Sequence, residues 1–320
     1  MTGATGDLST GEAASSSTGQ AQDVGSDNDI GSLVPVGCKG KIDFLFVMSD
    51  SWLLEDMQPV LVAAYSKFIE TIATKFADFD YHIMVVDGEK NWGLSHCNAV
   101  CPDIFTCMAW DDCCPQVGGK PMDSLCCGVS DYPCDELDLV SECDELIGAG
   151  TVFPAGFSAS NQPCKIDGDR RYLTQDQSEL SETFSCIARV GISGHNNLGE
   201  ALVNAVSPEL NAPGGCNEGF LRDDALLMVT LLSTGTGDVD SPGTPLQWYK
   251  AVVAAKNGDP TAVIMFLIGN PGCPWWDRHC ELVKLFPYWH IQSSHAKDLS
   301  PGFDTATDLV EEVCESPIPR

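Results

Sequence analysis

The sequence has few basic residues. It contains 17 Lys and Arg against 46 Asp and Glu, a formal net charge of −29 at pH 7. Nucleic acids and anionic membrane surfaces require concentrated basic charge, so the composition argues against both as main partners. Long apolar runs are missing too: none approaches the ~20 residues of a membrane-spanning helix, so no transmembrane segment is predicted.

Motifs of common catalytic and metal-binding classes are also missing. There is no C-x-x-C pair of a structural zinc site, no H-E-x-x-H pair, and no glycine-rich phosphate loop after the first predicted strand. The stretch Gly156–Ser160 departs from the G-x-S-x-G elbow at its last position. Ser193 and His195 are close in sequence, but no orienting acid accompanies them. The sequence therefore does not predict an enzyme, and we interpret the histidines as structural or surface residues.

Cysteine is abundant, with 16 residues in the chain. This content indicates an oxidising compartment, so we expect an extracellular, cell-surface or periplasmic protein. Residues 90–170 show weak periodicity and are predicted to form an insertion that disulfides hold together because it lacks a core of its own. Ten of the cysteines lie there, and their pairing is left open: Cys97, Cys101, Cys107, Cys113, Cys114, Cys126, Cys127, Cys134, Cys143 and Cys164.

Residues 1–36 differ in composition from the rest of the chain. They contain 6 Gly, 6 Ser and 4 Thr, and no Lys, Arg or aromatic residue. Such a segment buries too little apolar surface to offset its ordering entropy, so it is predicted to be a disordered tether, or a tail without a role. Polar residues follow Met1, so we expect any secretory signal or lipid anchor to lie upstream of this start.

Outside the insertion, apolar runs alternate with segments of helical periodicity. The runs at 42–48, 225–232 and 261–268 are nearly continuous, which is typical of strands buried on both faces of a parallel sheet. Over 37–320 the alternation predicts an α/β fold with a doubly wound, mostly parallel central sheet flanked by helices. Other strands are predicted at 81–86, 171–174 and 290–293, and helices from near Pro59 to Phe76 and at 178–188, 198–206, 245–256, 281–286 and 304–313.

Two disulfides are predicted outside the insertion. In a βα-alternating sheet the strands begin and the helices end at the same edge, so Cys38, before the first strand, and Cys314, at the end of the last helix, are predicted to pair. Cys273 and Cys280 enclose six residues and are predicted to close a small loop. The remaining Cys186 and Cys216 pair either with each other or with the insertion.

Three stretches carry a family resemblance. Residues 42–51 (IDFLFVMSDS) and the order of elements after them resemble a von Willebrand factor A-type (VWA) domain. Residues 181–191 (SETFSCIARVG) and 219–227 (GFLRDDALL) resemble the cysteine-containing VWA domains of bacterial, especially myxobacterial, surface proteins. The resemblance covers roughly residues 38–316 without the insertion. It implies a VWA/Rossmann-like sheet and a protein-binding or adhesion role.

The resemblance also implies a divalent-metal adhesion site at the carboxyl ends of the strands, with the pattern Asp-x-Ser-x-Ser, a later Thr and a last Asp. The matching positions depart from this pattern at all but one residue, since only Ser51 agrees. The two Asp positions are neutral and two of the hydroxyl positions are aliphatic, so we expect a degenerate site that holds no metal and no other cofactor. The other matching positions are Ser49, Leu53, Ile192, with Ser193 beside it, and Thr234.

A displaced cation site near Asp50, Glu55 and Asp56 is the alternative. These carboxylates are close in sequence, which gives them enough charge to hold a cation weakly. We favour a simpler interpretation, in which they form a solvated acidic loop before the first helix.

Trp275 and Trp276 suggest a binding surface. They follow the third central strand at its carboxyl end, where open α/β sheets bind ligands, and two tryptophans in a closed loop offer rigid apolar contact area. Alternatively, one or both of them cover the domain's own upper face or the insertion. The candidate binding residues for a protein ligand are Ser49, Asp50, Ser51, Ser193, Thr234, Trp275 and Trp276.

The sequence thus predicts a secreted or surface-tethered protein-binding module without a functional metal site. Two alternatives stay open. One is a structural envelope component. The other is an extracellular hydrolase whose catalytic carboxylates lie in the insertion, for which the candidates are Asp111, Asp112, Asp123, Asp131 and Asp135.

Overall fold

A computed structural model describes residues 40–51, 57–88, 92–93, 97, 132–192, 196–233, 238 and 240–315. Its centre is a six-stranded sheet in the order β3-β2-β1-β4-β5-β6. All neighbouring strands are parallel except β2 and β3, which are antiparallel. The strands are β1 (Lys41–Met48), β2 (Asp80–Asp87), β3 (Leu173–Thr174), β4 (Leu226–Leu232), β5 (Val263–Gly269) and β6 (Tyr288–Ser293). The predicted fold class is therefore confirmed, and the first strand lies inside the sheet.

Helices cover both faces of the sheet. They are α1 (Gln58–Lys75), α2 (Leu180–Ile187), α3 (Leu198–Ala205), α4 (Pro208–Asn211), α5 (Pro245–Ala255), α6 (Arg278–Val283) and α7 (Ser300–Glu315). Prolines stand in the first turns of α1 and α5, where their missing N–H groups cost nothing. None of the helices in the described part of the chain is both long enough and apolar enough to cross a membrane.

Alternate residues of β1 serve two separate cores. Phe44 and Phe46 pack with α1, α2 and α7 on one face, whereas Leu45 and Val47 pack with α3, α5 and α6 on the other. This alternation follows from the two-residue period of a strand, and it explains why the run at 42–48 is apolar on both faces. Several aromatic rings on the first face contact one another edge-on, as in the pair of Phe46 and Tyr65, whose ring centroids lie 5.7 Å apart.

The described part of the insertion contradicts the expectation that this segment lacks a core of its own. The segment has a small apolar cluster of its own, because Trp92 packs against Phe153 and Tyr132 beside the disulfide between Cys97 and Cys134. Two short 3₁₀ helices, Cys134–Leu139 and Glu142–Glu145, follow the first part of this cluster. Disulfides and local apolar packing thus act together here, so the segment does not depend on disulfides alone.

Two further disulfides fasten the insertion to the sheet domain. Cys143 pairs with Cys216, and Cys164 pairs with Cys186. Of the two options for Cys186 and Cys216, pairing with the insertion is therefore the one that forms. Cys38 lies outside the described residues, so its pairing with Cys314 stays a prediction, as does the tether at 1–36.

A buried charged network lies near the amino-terminal ends of β1, β2 and β4. The Asp43 carboxylate is fully buried and accepts hydrogen bonds from the Arg222 backbone N–H and Nε, both at 2.8 Å. Arg222 also donates to the carbonyl oxygens of Ile42 and Asp80, each at 3.0 Å. The Lys256 Nζ donates to the Arg222 carbonyl oxygen at 2.5 Å. One arginine therefore ties β1 and β2 to the segment before β4.

His82 stands beside this network with a pKa far from its ordinary value. Burial lowers the pKa of the imidazole from 6.5 to about 4, although the ring lies 2.9 Å from the Phe220 carbonyl oxygen through Nδ1. Burial also raises the pKa of the Asp43 carboxyl from 3.8 to about 6, against the pull of the Arg222 charge. Both groups are thus more easily kept neutral in the folded protein than in the unfolded chain.

The two shifts oppose each other as the solution is acidified. A depressed histidine pKa means that the unfolded chain takes up the proton first, so the contribution of His82 is complete above pH 6.5 and is lost as the pH falls towards 4. A raised carboxyl pKa has the reverse effect, so the contribution of Asp43 increases as the pH falls through 6 towards 3.8.

We expect His82→Gln to remove the acid-labile contribution. As the pH falls from 6.5 to 4, the free energy of unfolding of the variant should rise relative to that of the parent protein by about 1.4 kcal/mol per pH unit. Urea unfolding across this range, with the disulfides intact, measures it. The exposed His295 is the control, and His295→Gln should run parallel to the parent. If the pH dependence of His82→Gln also ran parallel to that of the parent, the lowered pKa assigned to His82 would be contradicted.

Candidate functional site: the carboxyl edge of the sheet

The strand order places a crevice between β1 and β4. The helix that follows β1, α1, packs on one face of the sheet, and the helix that follows β4, α5, packs on the other. Open α/β sheets bind ligands at this kind of reversal, just outside the carboxyl ends of the strands. The loops that follow β1 and β4 therefore mark the place to examine.

The described start of the loop after β1, residues 49–51, is buried. The side chains of Ser49 and Asp50 are fully buried, and Ser51 is nearly so. The Ser49 N–H donates to the Leu232 carbonyl oxygen at 3.0 Å, and its hydroxyl accepts the Ser51 N–H at 3.2 Å. These three predicted binding residues thus lie at the expected edge, but their side chains face inward.

Of the positions that resemble the metal pattern, Ser49, Ser51 and Ile192 lie among the described residues. Ser49 supplies a neutral hydroxyl where the pattern has a carboxylate, and the Ile192 side chain packs in the apolar core beside α1 and α2. A hard cation needs several oxygen ligands with negative charge among them. Among the described residues no three His, Cys, Asp or Glu side chains group as metal ligands would. Leu53, Glu55, Asp56, Ser193 and Thr234 lie outside the described residues.

A buried polar network joins the loop after β4 to α6. The Asp238 carboxylate accepts the Gly199 N–H at 2.7 Å, the Ser241 N–H at 2.9 Å and the Ser241 hydroxyl at 2.6 Å. Its Oδ2 also lies 3.3 Å from His279 Nε2, and the opposite ring nitrogen lies 3.0 Å from the Ser233 hydroxyl. Burial acts to raise the pKa of Asp238, but these hydrogen bonds and the charge of His279 hold it below 3.8.

Ser233, His279 and Asp238 are the residue types of a nucleophile, a base and an orienting acid. The sequence analysis did not identify them, because 46 residues separate Ser233 from His279 and no short motif joins them. All three are fully buried, so in this arrangement the hydroxyl does not meet a substrate. The set acts as a hydrogen-bonded connection between the loop after β4 and the start of α6.

Gly199 allows this connection to form. A Cβ at this position would lie 2.3 Å from the Trp248 ring, so only glycine lets the start of α3 approach α5 this closely. The Gly199 N–H then reaches Asp238. A side chain here would separate the two helices and withdraw one donor from the carboxylate.

Arg278 extends the network to the surface. Its guanidinium donates to the carbonyl oxygens of Asp238, at 2.5 Å, Ser241, at 3.2 Å, and Gly243. It also lies over the Trp248 ring, 4.3 Å from the centroid. Since Arg278 is the first residue of α6, these contacts hold the start of that helix against the loop after β4.

Trp275 and Trp276, the predicted binding residues, lie in a loop that is restrained at both ends. The predicted disulfide between Cys273 and Cys280 is present. The Asp277 carboxylate caps α6 by accepting the N–H groups of His279 and Cys280, both at 3.1 Å. Trp275 is 94% exposed and Trp276 is 43% exposed. Trp275 therefore does not cover the domain, whereas Trp276 is partly covered.

None of the five candidate carboxylates of the hydrolase alternative belongs to a side chain that the structure describes. Asp111, Asp112, Asp123 and Asp131 lie outside the described residues, as does the side chain of Asp135. Between the described part of the insertion and the end of β2 there is a cavity of about 40 Å³ lined by Asp87, Asp144 and Arg171 among others. Asp144 is held there by Arg171 and by the Ser141 N–H and hydroxyl. This cavity is large enough for a few water molecules only.

Comparisons with known proteins give a distant structural likeness. No protein-family model matches the chain, and no curated protein sequence matches it. Solved structures of proximal thread matrix protein 1 from the mussel byssus align over 87% of this chain. One crystal form shows 14% identity and a TM-score of 0.38, and a structure with a zinc-occupied MIDAS motif shows 16% identity and a TM-score of 0.38. The chain spans just under half the length of those solved chains, 47% and 46%.

Proposed function

We propose that this protein is a secreted or surface-tethered protein-binding module of the VWA type, and that Trp275 and Trp276 form the centre of its contact with a protein ligand. The observation that carries the proposal is a 94% exposed tryptophan in a loop that a disulfide closes at the carboxyl edge of the sheet. An exposed ring of this size has no role in the domain's own packing.

The anchoring of the loop supports a binding role. Tryptophan is enriched among the residues that dominate binding energy, and a contact that is rigid before binding loses little entropy when the partner arrives. Here the disulfide, the Asp277 cap and the three Arg278 hydrogen bonds restrict the loop. The tryptophan loop thus provides apolar contact area that is already ordered before the partner binds.

Binding in this proposal does not need a divalent metal. The positions that resemble the adhesion site supply hydroxyl and aliphatic groups, and Ile192 belongs to the core. The partner would then be held by shape and apolar contact at the tryptophan loop. The four described disulfides are typical of proteins in oxidising surroundings, which supports an extracellular or periplasmic location.

Affinity capture from the native envelope with the oxidised protein would identify the partner, and a tryptophan double variant would then locate its contact. We expect Trp275→Ala/Trp276→Ala to weaken binding about 1,000-fold, since two such residues at the centre of an interface commonly contribute about 2 kcal/mol each. Leu246, 50% exposed on α5, is the matched control, and Leu246→Ala should bind as the parent does. Isothermal titration calorimetry measures each affinity.

The same titration with EDTA tests the independence from metal. Equal affinity with and without the chelator is expected. A loss of binding in EDTA that Mg²⁺ or Mn²⁺ restores would contradict the metal-free proposal, and full affinity in the double variant would contradict the assignment of the tryptophan loop.

A further inference from the structure

The strand β6 lies at the edge of the sheet, so one side of its backbone is not paired with another strand of the described residues. The Ser294 N–H donates to the Gly269 carbonyl oxygen of β5 at 2.8 Å. Because successive residues of a strand direct their backbone groups to opposite sides, Gln292 and His290 also face β5, whereas Trp289 and Ile291 face away from it. Within the part of the chain that the structure describes, β6 pairs with β5 alone.

The side chains of β6 do not protect this edge. Natural edge strands usually carry a charged side chain, a proline or a bulge that discourages pairing with another chain. The stretch Tyr288–Ser293 (YWHIQS) contains no Lys, Arg, Asp, Glu or Pro, and it pairs with β5 in continuous register. Trp289 is 41% exposed and lies next to the outward-facing backbone groups. An open edge of this kind is suited to strand addition.

The charge around the edge differs from that of the whole chain. Between Glu281 and Asp298, both of which are exposed, the sequence contains no Asp or Glu, although the chain has 46 of them. The Asp298 carboxylate accepts the Ser300 N–H at 2.9 Å. Lys284 lies just before β6 and Lys297 just after it, and both are exposed, as is His295. An acidic partner would therefore meet favourable charge at this edge, whereas the rest of this strongly acidic protein would repel it.

We infer that the outer edge of β6 binds an acidic, extended peptide segment as an additional strand. Backbone hydrogen bonds to Trp289 and Ile291 would supply the pairing, the Trp289 ring would cover an apolar side chain of the peptide, and Lys284 and Lys297 would select acidic residues. Antiparallel pairing of two copies through β6 is less favourable, because it would bring each basic border close to another one. The inference is independent of the tryptophan loop.

Two blocked ten-residue peptides serve as probes, one of alternating Val and Glu and one of alternating Val and Lys. Calorimetry at low salt should show binding of the Glu peptide only. Ile291→Pro removes an outward N–H without breaking the ladder to β5, and Ile291→Ala removes the same side chain but keeps the N–H. We expect the proline variant to bind the Glu peptide about tenfold more weakly than the alanine variant does, while their melting temperatures agree.

A charge reversal provides a second test if the proline variant does not fold. Lys284→Glu/Lys297→Glu alters exposed side chains only and should abolish binding of the Glu peptide. Trp275→Ala/Trp276→Ala should bind the peptide unchanged, which separates this site from the proposed protein-binding loop. Equal binding of both peptides, equal affinity of the proline and alanine variants, or dimerisation through β6 in sedimentation experiments would overturn the inference.

Discussion

Arg222→Met is expected to lower the free energy of unfolding by about 4 kcal/mol at pH 7, because removing one partner of a buried ion pair leaves the other charge without compensation. Asp43 would keep its full burial and would lose the Nε hydrogen bond and the adjacent positive charge. The bonds that Arg222 makes to the Ile42 and Asp80 carbonyl oxygens would go as well. Urea unfolding under non-reducing conditions measures the loss.

The pH dependence of this loss identifies its cause. Burial already raises the pKa of Asp43 to about 6, and without the arginine that pKa should rise further. At pH 5 the carboxyl of the variant is then neutral, so the destabilisation should be clearly smaller than at pH 7. A loss that is equal at both pH values would indicate lost packing of the arginine stem and would contradict an electrostatic cause.

A double-mutant cycle provides the control. Asp43→Asn/Arg222→Met should be more stable than Arg222→Met alone, because the buried negative charge is gone while the Asn oxygen still accepts the backbone N–H of residue 222. Arg222→Lys keeps the charge but loses the planar set of donors, so we expect an intermediate stability. If the double variant were no more stable than Arg222→Met, the pair would not be coupled.

Asp238→Asn is expected to destabilise the protein by about 3 kcal/mol, because an amide nitrogen at the carboxylate position cannot accept hydrogen bonds from buried donors. The carboxylate accepts from Gly199 and twice from Ser241, and it also contacts His279. At least one of these donors would be left buried and unsatisfied. Urea unfolding again gives the magnitude. The exposed Asp240 is the matched control, and Asp240→Asn should behave as the parent does.

The same substitution should also affect the tryptophan loop. The Asp238 side chain contacts His279, and the Asp238 carbonyl oxygen accepts a hydrogen bond from Arg278. A shift of Asp238 therefore loosens the start of α6. Hydrogen exchange of the amides at 273–280 should become faster in Asp238→Asn, and partner binding should weaken although both tryptophans are still present. If the variant unfolded globally faster but the amides at 273–280 exchanged at the parent's rate, the network would not anchor the loop, and the proposed anchoring would be contradicted.

Much of the fold could be predicted from local pattern. The runs at 42–48 and 225–232 proved to be central strands within a residue or two of their predicted ends, because a strand buried on both faces needs an apolar side chain at nearly every position. The polar exception in the first run, Asp43, was a signal that could have pointed to a buried partner, since an unpaired carboxylate is not tolerated there. The identity of that partner, Arg222, depends on the position of a segment 179 residues away.

The candidate site, like the fold, could be predicted only in part from the sequence. The spacing of Cys273 and Cys280, and their place after a predicted strand, were enough to locate the tryptophan loop. The network of Ser233, Asp238 and His279 was not predictable, because buried hydrogen bonds between distant residues leave no periodicity in a sequence. The interior packing of Ile192 and the inward direction of Ser49 and Asp50 likewise required the assembled sheet.

The amino-acid sequence by itself determined the alternation of strands and helices and the position of the closed loop, because burial and covalent spacing act over neighbouring residues. Only the tertiary structure decided which polar groups meet, which tryptophan faces solvent and which sheet edge stays open. The physical reason is that hydrogen bonds and charge pairs depend on distances of about 3 Å, and only the folded arrangement of the strands sets these distances for residues far apart in the chain.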